Sequence, residues 1–123
     1  MSEQHGEQGL REPTKVLALD VVRFYSHLPQ ATVAQVLGRQ VLRSGTSVGA
    51  QYREAVRARS IAEFASKLES ALQELEETMY WLELLAESGI VPDAQVAGLL
   101  READELTAML VASAKTARSR EHR

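Results

Sequence analysis

The chain has 123 residues, a formal net charge of −3 and no cysteine, which fits one domain and excludes disulfides and thiolate metal sites. At 45% hydrophobic and 25% charged residues, the composition is that of a globular protein and excludes a wholly disordered chain. A net charge of −3 speaks against nucleic acid until the order of the charges is read.

Residues 1–12 read as a disordered arm: polar, with two glycines and no periodicity. Pro13 marks a helix start, with Thr14 as N-cap or Pro13 as the first helical residue. The first helix should run to about Leu28, before Pro29. Leu17, Val21, Phe24 and Leu28 form one apolar stripe, and Ala18, Val22 and Tyr25 a second. Val16 and Leu19 extend the apolar surface beyond what one core needs.

The second helix should start at Gln30–Thr32 and reach about Arg57. Val33, Leu37, Val41, Ser44, Val48, Tyr52 and Ala55 keep helical spacing across the small-residue stretch SGTSVGA. By propensity that stretch is a loop, since each interior glycine costs about 1 kcal/mol relative to alanine. The apolar period stays in phase on both sides, so one continuous helix is expected, its small residues allowing close backbone approach.

Ser60 and Glu63 form a capping box ahead of a third helix that runs to about Glu87. Its seam is Ile61, Phe64, Leu68, Leu72, Leu75, Met79, Leu82 and Leu85, and Gly89 supplies the stop. Pro92 or Asp93 begins the fourth helix, with a stripe of Val96, Leu99, Ala103, Leu106, Leu110, Ala114 and Ala117. Residues 119–123 should fray as a basic tail.

Nothing reads as a strand. Four helices with short connections predict an all-α, antiparallel up-down-up-down four-helix bundle over residues 13–118. The turn between the second and third helices then sets Ser47 opposite Ser70, Gln51 near Lys67 and Arg43 near Glu74. Glu74 and Glu77 could pair with Arg43 or Arg39.

Charge is ordered along the chain. Residues 1–10 sum to −2, 11–59 to +5, 60–110 to −9 and 111–123 to +3. In the predicted topology Arg11, Lys15, Arg53, Arg57, Arg59, Lys115, Arg118, Arg120 and Arg123 gather at one end, a footprint for phosphate backbone. Cations near helix C-termini also complement the macrodipole, which accounts for Arg53, Arg57, Lys115 and Arg118 without a ligand. Few aromatic residues lie among these bases, so contact with phosphate is expected and base stacking is not.

No catalytic constellation, metal site or cofactor motif is evident. The histidines, His5, His27 and His122, are scattered, and no Glu-x-x-His pair exists. Ser44 and Ser47 lack a histidine base and read as packing residues. Trp81 reads as core or subunit interface. No apolar run approaches the ~18 residues of a membrane span. The polar opening MSEQHGEQGLREP is not expected to act as a signal peptide, so a cytoplasmic protein is expected.

The residues SVGAQYREA (Ser47, Gly49, Gln51 and Glu54 among them), then Ser60, Glu63-Phe64, Lys67-Leu68, Glu74, Glu77-Thr78 and Tyr80-Trp81-Leu82 resemble the four-helix-bundle family also called the 23S rRNA intervening-sequence protein family. That family usually has asparagine where this chain has Gln51. The resemblance implies a non-enzymatic antiparallel bundle that assembles as a homopentamer. It also implies kinship with the accessory variability determinant of diversity-generating retroelements, a basic pentamer that binds nucleic acid and a reverse transcriptase. The function expected is a nucleic-acid-associated scaffold, binding RNA or DNA. The alternative is a protein-interaction module docking on a polymerase, reverse transcriptase or other partner without nucleic-acid contact.

Overall fold

The computed structural model describes residues 9–121, the side chain of Glu121 excepted. Four helices follow in chain order: α1 (Arg11–Ser26), α2 (Thr32–Val56), α3 (Ile61–Glu87) and α4 (Asp93–Glu121). No strand occurs among the described residues.

Cross-helix contacts fix the up-down-up-down arrangement. The start of α1 meets the end of α2, where the Leu10 N–H donates to the Tyr52 hydroxyl at 3.2 Å. Lys67 near the start of α3 pairs with Glu54 near the end of α2 at 2.8 Å. Arg118 near the end of α4 pairs with Glu69 in the first half of α3. Contact between helices adjacent in the bundle is most extensive for α2 and α3 and least for α1 and α4. Leu17, Val21, Val41, Val48, Leu68, Leu75, Leu82, Leu85, Leu106 and Leu110 form the fully buried centre.

The first helix starts earlier than its proline suggests. Arg11 and Glu12 are already helical, and Pro13 is tolerated because a first-turn N–H has no helical acceptor in any case. Thr14 is therefore not the N-cap. It is fully buried, and its hydroxyl donates back to the Leu10 carbonyl at 2.7 Å. Helix α1 also stops at Ser26, before Leu28, although Leu28 remains buried.

Helix α2 is continuous through SGTSVGA. Its glycines let α1 approach closely. A β-carbon at Gly45 would lie 2.7 Å from Val21 Cγ2, and one at Gly49 would lie 3.3 Å from the Thr14 hydroxyl. On the same helix Ala34 and Gly38 are buried. Val33, expected in the core stripe, is instead 58% exposed.

Helix α3 opens on the expected cap: Ser60 Oγ accepts from the Glu63 N–H at 3.0 Å. The Glu63 carboxylate in turn accepts from the Arg59 N–H, one residue before the cap, at 2.8 Å. The helix ends in a Schellman motif. Gly89 has φ +81°, the Ile90 N–H reaches the Leu85 carbonyl, and the Gly89 N–H reaches that of Ala86. Helix α4 begins at Asp93 and continues to Glu121, so residues 119–121 are helical.

The α2–α3 register agrees with expectation at Arg43, which bridges Glu74 at 3.3 Å and Glu77 at 2.8 Å. Lys67 differs: it meets Glu54, about one turn beyond Gln51. The seam position Ile61 is 39% exposed, because it lies at the open end of the bundle. No described helix is long and apolar enough to cross a membrane.

Candidate nucleic-acid interface

Antiparallel packing puts the start of α1, the α2–α3 turn and the end of α4 at one end. Two grooves open there. Lys15 and Arg53 line one, between α1 and α2, with Thr14 and Gly49 at its floor. Arg59 and Arg120 line the other, between the α2–α3 turn and α4. Arg53 is in the last turn of α2, and Arg118 and Arg120 are in that of α4. There each opposes the negative end of its helix dipole.

The nine bases expected at this end are not equivalent. Among the described residues Arg11, Lys15, Arg53, Arg57, Arg59, Lys115 and Arg120 are exposed and enter no ion pair. Arg118 is engaged by Glu69. Arg123, like His5, His122 and the expected arm up to residue 8, lies outside the described residues. The acids of this end are partly occupied. Glu54 holds Lys67 and pushes the lysine's pKa up from its ordinary value through a hydrogen bond and opposite charge, while Glu63 serves the α3 cap. A cation-rich surface remains, suited to phosphate.

The motif residues divide by role. Glu54, Lys67, Glu74 and Glu77 tie α2 to α3 through exposed ion pairs. Ser60 caps α3. Gly49 admits Thr14 of α1. Ser47 and Gln51 are half-buried on α2. Trp81 is half-buried against the core, edge-to-face with Tyr80 at 5.1 Å between ring centres. Its indole N–H is buried with no acceptor among the described residues.

Sequence reading missed one neighbour of the bases. Phe64, assigned to the α3 seam, is half-buried and lines the same cleft as Arg59 and Arg120. The signal was its place one turn into α3, where the core is thinning, but the fourth helix was needed to complete the cleft. No cluster of three or more potential metal ligands occurs among the described residues.

The sequence model of the 23S rRNA-intervening sequence protein family matches residues 11–112. The chain belongs to this family. The intervening-sequence fold is also that of a crystal structure from Bacteroides thetaiotaomicron VPI-5482, described as a protein with unknown function from the S23 ribosomal protein family. The two share 34% identity at a TM-score of 0.83, over 89% of this chain and 98% of that one. No curated protein matches the chain. Lys115, Arg118 and Arg120, in the last turns of α4, lie beyond the span that the family model matches.

Proposed function

We propose that this protein is a non-enzymatic, self-assembling bundle that acts as a nucleic-acid-associated scaffold through its basic end. The observation carrying the proposal is the set of seven exposed bases there that enter no ion pair among the described residues. Contact is led by phosphate, so binding should fall steeply with salt.

Self-assembly is supported by an exposed apolar surface on the first two helices. Val16, Leu19 and Val22 on α1 and Val33 and Val36 on α2 are all at least 40% exposed. Such a surface is suited to an interface between copies. A ring, of five copies as the family resemblance implies, would set its basic ends side by side and make weak phosphate contacts multivalent.

Filter binding of structured RNA and single-stranded DNA over a salt series tests the proposal. Binding at ~50 mM salt that weakens with charge reversal at Arg53, Arg57 and Arg59 is expected. No binding at that salt overturns it. Capture of a protein partner that is indifferent to those reversals would instead favour a protein-docking module. Light scattering tests assembly, and a monomer would overturn the multivalent part.

A further inference from the structure

The cleft lined by Phe64 is about 310 Å³, at the lower end of the range of small-ligand sites. Val56, Ile61 and Ala117 make its walls apolar, and Arg59 and Arg120 stand at its polar rim. A second hollow of about 180 Å³ continues along α4 and shares Phe64, Ala117 and Arg120. Together they form one groove that crosses the phenylalanine, with an arginine from each side of the bundle beside it. The start of α3, with its positive partial charge, opens at the same place.

The geometry points to this groove as a pocket for one unpaired nucleotide of a single strand. Its base would lie against Phe64 and the apolar walls, and its flanking phosphates would meet Arg59 and Arg120. The inference rests on the basic end being a phosphate-binding surface, and adds what that surface distinguishes. A purely electrostatic surface accepts duplex and single strand alike. An apolar slot with an aromatic ring accepts a base only when the base is free of its stack. Charge complementarity selects this occupant: its flanking phosphates would meet Arg59 and Arg120, which are exposed and enter no ion pair among the described residues, where an apolar side chain would leave both without a counter-charge.

The test compares a short single-stranded oligonucleotide with the duplex of the same sequence, by anisotropy at ~50 mM salt. The full chain is used as wild type, Phe64→Leu, Arg120→Ala and Arg53→Ala. Wild type should prefer the single strand. Phe64→Leu, which keeps apolar volume but removes the ring, should weaken single-strand binding about tenfold and leave duplex binding unchanged. Arg53→Ala should weaken both alike. A 4-thiouracil in the single strand should crosslink to wild type within residues 61–64, a readout independent of any variant's folding. Equal binding of the two forms, or crosslinks elsewhere alone, overturns the pocket and leaves the phosphate surface standing. Binding of neither form overturns both. Loss of self-association in Phe64→Leu, with nucleic-acid binding intact, assigns the groove to a second copy and overturns the inference.

Discussion

The Thr78 hydroxyl lies 2.8 Å from the Ser44 hydroxyl, inside the contact between α2 and α3. Both side chains are fully buried. Ser44 donates to the Gln40 carbonyl at 2.8 Å, so its oxygen is free to accept. Thr78 has one proton and two acceptors, Ser44 Oγ and the Glu74 carbonyl, each at 2.8 Å. A polar pair in an apolar seam is tolerated because each hydroxyl has a backbone carbonyl of its own helix as a partner.

Thr78→Val keeps the shape and removes the donor. Urea denaturation should show a loss of about 1 kcal/mol. Thr78→Val combined with Ser44→Ala should be less damaging than the two single losses added, because neither polar atom is then left facing an apolar neighbour. Strict additivity would show that the two hydroxyls do not interact.

Gly45 and Gly98 should respond in opposite directions to alanine. At Gly45 the new carbon would come within 2.7 Å of Val21, whose side chain is fully buried. The clash should outweigh the gain in helix propensity, for a net loss of about 1–3 kcal/mol. At Gly98, exposed on α4, the new carbon meets nothing within 4 Å. Gly98→Ala should gain up to about 1 kcal/mol, measured by the same unfolding curve.

Arg43 should matter less than its two ion pairs suggest. Its side chain is 52% exposed, as Glu77 is at 50%. Arg43→Ala should cost less than about 1 kcal/mol, and the difference from wild type should shrink towards zero in ~1 M salt.

Glu102 sets a pH dependence. Burial first, then a hydrogen bond with Asp20 and the negative charges of Asp20 and Glu105, push its carboxyl from the ordinary 4.5 up to about 7. Asp20 also holds Arg23 at 2.8 Å, and His27 and Gln95 stand in the neighbouring groove. The folded protein binds this proton more tightly than the unfolded chain does. The stabilisation is therefore complete below 4.5 and is lost as pH rises through about 7. Glu102→Gln should flatten the stability profile across that window. It should raise stability above it by about 1 kcal/mol, after allowance for solvent screening. A fall in stability on acidification through the window would contradict the assignment.

Periodicity carried most of the fold because it survives local irregularity. The stripe through Val41, Ser44, Val48 and Tyr52 held its phase across SGTSVGA, and α2 is unbroken there. Ser60 and Gly89 were legible because cap and stop chemistry is local. Thr14 misled because a threonine after proline looks the same as a cap and as a buried back-bonding hydroxyl. Only contact with Gly49 decides between them. Val33 misled because Val33 and Ala34 both fit an apolar stripe, and the packed bundle buries Ala34, the smaller, and leaves Val33 exposed. At the basic end the charges could be read from order alone. The cleft could not, since Phe64 and Arg120 are far apart in sequence and meet only through α3–α4 packing.

Helix α1 starts and helix α4 ends at the same end of the bundle as the exposed bases. Any chain attached before Arg11 or after Glu121 consequently leaves from beside that surface. A bulky fusion or affinity tag at either position would shade it and depress binding for reasons unrelated to charge. The loops that join α1 to α2 and α3 to α4, around Pro29 and Pro92, sit at the far end. Dyes, tethers and surface attachments placed there leave the basic end open to large ligands.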